Sequence, residues 1–309
     1  MGKIPLRALR VILLSIFFVY AGVPLRAPEK IGISTYSVND YSRVERCNDL
    51  SRSIADKKRF VEQMTEQIKA KYPNTTVQHI RDRVNESATA NNFLTDNTDD
   101  SEIVFFSGHG EPQTLFFYDR EQSFGTKTKR FGGKTRWVFL EACMFLNVNK
   151  SDRLSADITK SENIDYQKVA IIFSLFNGVH AIMGNYADGW QGIIKKHWYS
   201  SAHWRTEDRF NYFAKYFVKE EYRIWDAYVS AVKKVYKNFT ENSALGYYTS
   251  ITGYKPAIAY FYLKGANGNA LDMSLETYGK SYDAPASDGS LRNYQIKIKS
   301  IEIGSPRYY

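Results

Sequence analysis

In Ile103-Val104-Phe105-Phe106-Ser107-Gly108-His109-Gly110 an unbroken apolar run of four stops at Ser107, and a histidine held between two glycines follows. A run with no polar interruption fits a strand buried on both faces better than the alternation of a half-exposed one. Further along, Trp137-Val138-Phe139-Leu140-Glu141-Ala142-Cys143 repeats the form and ends at a cysteine. Two such strands need cover on both sides, so they predict an α/β sheet between helical layers.

The neighbouring segments agree. Ile31 to Tyr36 predicts a first strand, and Val77 to Ile80 a weaker one. Between them Ile54, Phe60 or Val61, Met64 and Ile68 recur at helical spacing, which predicts a helix from about Ser53 to Ala70 that ends before Pro73. Leu115 to Tyr118 suggests a hairpin strand, Val169 to Phe176 a helix, and Val179 to Met183 and Ala257 to Leu263 further strands. Aromatic stripes at Phe210, Phe213 and Phe217, and at Trp225, Val229, Val232 and Tyr236, are core-facing helix patterns. Past residue 265 the chain turns polar until Tyr294, Ile296 and Ile298 alternate, a half-exposed strand with a bulge at Lys299-Ser300.

The ends bound the domain. Lys3, Arg7 and Arg10 precede an apolar run from Val11 to Val23, shorter than the ~20 residues of a comfortable bilayer span. Val19-Tyr20-Ala21 has the form of a signal-peptidase site, so residues 1–27 are either a cleaved signal peptide or an N-terminal membrane tether through residues 11–23. Both readings export the body of the protein and make it secreted or extracytoplasmic. Residues 28–265 then form the main domain and 266–309 a small C-terminal β extension. Cys47 and Cys143 are the only cysteines, so the fold rests on its core and not on a disulfide framework. The net charge of +9 is spread along the chain; its densest cluster, Lys127, Lys129, Arg130, Lys134 and Arg136, is a solvated loop pattern, and no nucleic-acid partner is expected.

In an open α/β sheet, chemistry gathers at the carboxyl ends of the strands. If the two runs pair, His109 and Cys143 meet at one edge. A thiol with an imidazole in reach can act as nucleophile and base. Gly108 and Gly110 allow close backbone approach, and the Gly110 and Cys143 amides are candidates for an oxyanion hole. A Ser-Gly-His-Gly turn is also an ordinary tight turn, and a strand-ending cysteine an ordinary buried thiol.

The two runs together resemble the paired motifs of the caspase-like superfamily of cysteine peptidases (clan CD): an apolar strand ending in His-Gly, then one ending in an acidic or amide residue, Ala or Ser, and Cys. Glu141-Ala142-Cys143 is most like the legumain form. The hairpin after His109 and the strand at Gly178-Val179-His180-Ala181-Ile182-Met183-Gly184 also fit that pattern. The resemblance implies a three-layer sandwich on a mostly parallel sheet, with His109 as general base and acid and Cys143 as nucleophile in peptide-bond cleavage. A catalytically weak module of the same fold that binds a partner protein or surface glycan is the alternative.

Within that frame Glu141 would border the first specificity pocket and favour a basic or amide side chain; it is equally readable as a carboxylate paired with a nearby Lys or Arg. Cys47, in the loop after the first strand, is read as inert, a pocket wall or a disulfide partner of Cys143. Asp188 and Trp190 would line the same mouth. The polar segment from Asn147 to Asp165 would cover it and be a site of self-cleavage. His197 and His203 lack the i, i+4 spacing of a helical zinc pair, so neither metal nor cofactor is expected.

Overall fold

The structure, a computed structural model, describes residues 29–45, 47–96, 100–125, 131–132, 134–150, 163–177, 179–187, 193–195, 203–242, 257–263 and 294–300. Its centre is a seven-stranded sheet of β1 (Lys30–Ser37), β2 (Thr76–Val84), β3 (Ile103–Gly108), β4 (Trp137–Ala142), β5 (Ala181–Asn185), β6 (Ala257–Leu263) and β7 (Tyr294–Ser300). In space the order is β7-β6-β5-β4-β3-β1-β2. The first five strands are mutually parallel, while β6 runs antiparallel to β5 and β7 to β6. The residues read as a C-terminal β extension therefore supply an edge strand to this sheet.

The apolar runs explain the layers. Successive side chains on a strand point to opposite faces. Ile103, Phe105, Trp137, Phe139, Ala181 and Met183 enter one core, and Val104, Phe106, Val138, Leu140 and Ile182 the other. The first core is closed by α1 (Ser53–Lys71), α4 (Arg209–Ala214) with a π-turn at Lys215–Lys219, and α5 (Ile224–Asn242). The second is closed by α2 (Ala90–Thr95), α3 (Tyr166–Ser174) and the hairpin strands Gly110–Glu111, Thr114–Phe116 and Glu121–Ser123. This is the expected three-layer α/β sandwich: a mostly parallel sheet between two helical layers.

Helix α1 shows how sequence sets packing. Asp56, Phe60, Met64 and Ile68 lie on its buried stripe, and Phe60 stacks on Phe105 of β3 at 4.5 Å. Its last turn carries Lys69 and Lys71, favourable at the negative end of the helix dipole, and Tyr72 N–H closes on Ile68 O. Lys57 emerges from the same side to pair with Asp82 of the edge strand β2, where Thr35 donates to Asp82 and bonds His79 at 2.9 Å. Strand β2 is longer than its weak apolar signal suggests, because an edge strand needs only one neighbour and tolerates Arg81, Asp82 and Arg83.

The strand order creates a crevice. From β1 the chain crosses to β2 on one side of it and then to β3 on the other, a topological switch point, and such points open at the carboxyl ends of the strands. The loop after β1 runs to α1 on one face, while the hairpin after β3 lies on the other. Among the described residues no helix is long and apolar enough to cross a membrane. Residues 1–27, expected from the sequence to be a targeting segment, lie outside the described residues.

Candidate active site

Strands β3 and β4 pair in register through Ser107 with Glu141 and Gly108 with Ala142. His109 and Cys143 are the first residues after these strands, and both line one cavity of about 310 Å3. Asp49, Leu50 and Ser51 from the loop after β1 form one wall; Glu141, Asn185, Arg209 and Tyr236 also line the cavity. Gly110 ties the two loops together. A Cβ there would stand 2.8 Å from both the Ala142 Cβ and the Cys143 carbonyl oxygen, so only glycine lets the histidine loop lie against the cysteine backbone.

The imidazole is oriented by main chain. His109 Nε2 lies 2.7 Å from the carbonyl oxygen of Asn48. A carbonyl oxygen only accepts, so Nε2 carries the proton and Nδ1 is the basic nitrogen. The backbone N–H of His109 donates to the Tyr41 hydroxyl at 2.7 Å.

The turn after the cysteine is held on two sides. Met144 N–H donates to Ala187 O at 3.2 Å beyond the end of β5. Buried Gln113, in the hairpin after His109, donates its backbone N–H to Phe145 O at 3.2 Å and its Nε2–H to Asn147 O at 2.6 Å. Met144 at φ 50° and Gln113 at φ 55° are both in the left-handed region. That conformation costs a non-glycine residue about 1 kcal/mol or more, a strain the surrounding bonds hold in place.

Glu141 is only 3 % exposed, and its carboxylate is already engaged. Tyr228 donates its hydroxyl to Oε1 at 2.5 Å, and Arg209 Nη2 reaches Oε2 at 3.2 Å and Asp56 Oδ2 at 2.8 Å. Of its two readings, the paired carboxylate is the one its contacts fit, although the residue also lines the cavity. Burial pushes the Asp56 carboxyl up to about 6 against the pull of Arg209, with the neighbouring Glu141 charge adding to the rise.

Cys47 stands apart from the cavity wall. It packs with Leu50 against Val38, Tyr41, Val44, Ala88, Phe116 and Tyr118. Burial, then the charges of Glu111 and Glu121, pushes its thiol up to about 11. Neither cysteine is in a disulfide. Asp188 and Trp190 lie outside the described residues, as do residues 151–162 of the segment expected to cover the mouth. Among the described residues no group of three His, Cys, Asp or Glu side chains is placed to hold a metal ion.

Arg209, Asp56, Tyr41 and Gln113 were not singled out from the sequence. Asp56 and Arg209 did leave a signal: each is four residues before a core phenylalanine, Phe60 and Phe213, so each is a charge on an apolar stripe. Tyr41 and Gln113 leave none, being polar loop residues defined by what the fold brings to them.

Among solved structures, the Arg-specific cysteine proteinase gingipain R aligns with 13% identity over 68% of this chain and 43% of its own, at a TM-score of 0.36. This chain thus spans under half the length of that structure. Caspase-1 from Spodoptera frugiperda aligns with 11% identity over 88% of this chain and 86% of its own, at a TM-score of 0.35. At these levels the likeness concerns the fold and says nothing of activity. No curated protein matches the chain. A family model described as a domain of unknown function (DUF6345) matches residues 35–275. The chain therefore belongs to the DUF6345 family.

Proposed function

We propose that the protein is a cysteine-type peptide hydrolase in which His109 and Cys143 form the catalytic dyad. The observation that carries this reading is the register of β3 and β4: Gly108 pairs with Ala142, so the two reactive residues leave adjacent parallel strands side by side and line one cavity. The Nε2 contact to Asn48 O supports it, because it leaves Nδ1 as the nitrogen able to take a proton.

In this mechanism the Cys143 thiol gives its proton to His109 Nδ1, and the thiolate adds to the scissile carbonyl carbon. The carbonyl oxygen becomes an oxyanion, for which the Gly110 and Cys143 N–H groups are the proposed donors. The imidazolium returns the proton to the leaving nitrogen as the C–N bond breaks, leaving a thioester. Water then attacks the thioester carbonyl, His109 takes the water's proton and passes it to sulfur, and the acid is released. The substrate is a protein or peptide met outside the cytoplasm, a location that rests on the Lys3 to Val23 pattern alone.

The test is covalent. Purified full-length chain is treated with a peptide carrying an acyloxymethyl ketone, and the adduct is located by mass spectrometry. Labelling at Cys143 that is lost in Cys143→Ala and strongly reduced in His109→Ala is the expected result. Labelling indifferent to His109, or none with any peptide of a varied panel, would sink the proposal.

A further inference from the structure

We infer that Tyr41 is a positioning residue for His109, so that the loop from Asn39 to Leu50 fixes the imidazole; the inference rests on the His–Cys reading above. The loop grips the histidine at two separate atoms. Tyr41 Oη accepts the His109 backbone N–H at 2.7 Å, and Asn48 O accepts the ring Nε2–H at 2.7 Å. The two rings also touch, with centroids 4.7 Å apart and planes tilted by 58°.

The loop is itself built to stay in place. Tyr41 N–H donates to Asp49 Oδ1 at 2.8 Å, and Leu50 N–H to Asn39 O at 2.8 Å, which closes the loop on itself. Asn39 Oδ1 accepts from Ile54 N–H at 3.0 Å and so ties the loop to the first turn of α1. Asn85, at φ 43°, accepts the N–H groups of Asn39 and Asp40 with its side-chain oxygen. Tyr41 is 1 % exposed in the satellite core of Val38, Val44, Ala88, Phe116 and Tyr118. Burial holds its hydroxyl far above the usual phenol range, so it stays neutral, accepts from His109 and donates toward Phe116 O at 3.4 Å.

Gly108 gives an independent sign of the same contact. A Cβ at that position would lie 2.5 Å from the Tyr41 hydroxyl oxygen. The glycine before the histidine therefore makes room for the tyrosine that holds the histidine's amide. His109 N–H is the first main-chain donor beyond the last register pair of β3 and β4, and a donor at that place needs a partner from outside the ladder. Tyr41 does not line the cavity, so it acts through His109 and not on a substrate. Displacements of about 1 Å at a reacting group can cost up to ~100-fold in rate.

The test compares wild type, Tyr41→Phe and His109→Ala in full-length chain. Alkylation of Cys143 by iodoacetamide is followed from pH 5 to 10 by mass spectrometry, with thermal melting alongside. Tyr41→Phe keeps the ring and loses only the hydroxyl. The expected result is a melting temperature within a few degrees of wild type, labelling at pH 7 slower by roughly fivefold to tenfold, and a pH profile moved toward that of His109→Ala. A Tyr41→Phe profile that superimposes on wild type while His109→Ala moves away overturns the inference and leaves the dyad standing. If His109→Ala also superimposes on wild type, the dyad reading fails and this inference with it. Hydrogen exchange on wild type needs no variant: the His109 amide should be protected, and exchange at the rate of an open loop amide would overturn the proposal.

Discussion

Nη2 of Arg209 lies 3.2 Å from Oε2 of Glu141, the residue two before Cys143. Glu141 follows Trp137 and Phe139 on the same face of β4, which turns it toward α4 and α5 and away from the hairpin. The same nitrogen bonds Asp56 on α1, so one guanidinium joins the sheet to two helices. Removing the cation strands two buried carboxylates. Arg209→Met should lower unfolding stability by about 3–5 kcal/mol, against a much smaller loss for Glu141→Gln, which can still accept from Tyr228. Urea denaturation of both variants checks this. A loss in Arg209→Met no larger than in Glu141→Gln would mean the network is not the structural joint its geometry indicates.

Asp56 gives that network a pH dependence. Its pKa is raised from 3.8 to about 6 by burial, so between those values the folded chain holds a proton that the unfolded chain has released. Stability from this group therefore falls as pH rises from about 4 to 6 and is level above that. Asp56→Asn removes the titration. The stability of wild type relative to Asp56→Asn should decline across that window by an amount on the order of 3 kcal/mol. Denaturation curves at several pH values would show it, and parallel pH profiles for the two proteins would refute it.

Most of the sheet is legible in the sequence because its strands are buried on both faces. Ile103 to Phe106 and Trp137 to Leu140 have no other home, and the observed strands run on to the residues before His109 and Cys143. Strand β6 occupies the expected span, Ala257–Leu263. The site's support was harder to read. Asp56 and Arg209 are far apart in the chain, and a charge on an apolar stripe announces burial without naming its partner. Tyr41 and Asn48 act through a hydroxyl and a carbonyl in a loop, where no periodicity exists to flag them. Gly108 illustrates the limit: the sequence suggested a close approach of its backbone to a substrate, whereas the group against it in the fold is the Tyr41 hydroxyl.

Gly110 should be intolerant of even one added carbon. Gly110→Ala would push a methyl to within 2.8 Å of the Cys143 carbonyl oxygen and the Ala142 Cβ, and neither backbone can retreat without separating the two loops. Gly125, where an added Cβ meets nothing within 4 Å, is the matched control. The expectation is a loss of 1–3 kcal/mol or so for Gly110→Ala, with slower warhead labelling of Cys143, and a change within about 0.5 kcal/mol for Gly125→Ala. Equal melting temperatures for Gly110→Ala and wild type would show that the contact is loose.

The two cysteines should separate cleanly by reactivity. Cys47 is partly buried against the satellite core, with its thiol pushed up to about 11, first by burial and then by Glu111 and Glu121. The thiolate is the species that alkylates, so at pH 8 only about one Cys47 in a thousand is reactive at a given moment. Its labelling should rise close to tenfold per pH unit from pH 7 to 10. Cys143, on the cavity wall beside His109, should label faster throughout that range and lose its lead in His109→Ala. Iodoacetamide labelling with peptide-level quantification measures both sites in one sample. In denaturant the burial at Cys47 disappears, and the two rates should converge. Native labelling of Cys47 at the rate seen in denaturant would contradict its burial, and a Cys143 no faster than Cys47 at neutral pH would remove the chemical support for a His109–Cys143 pair.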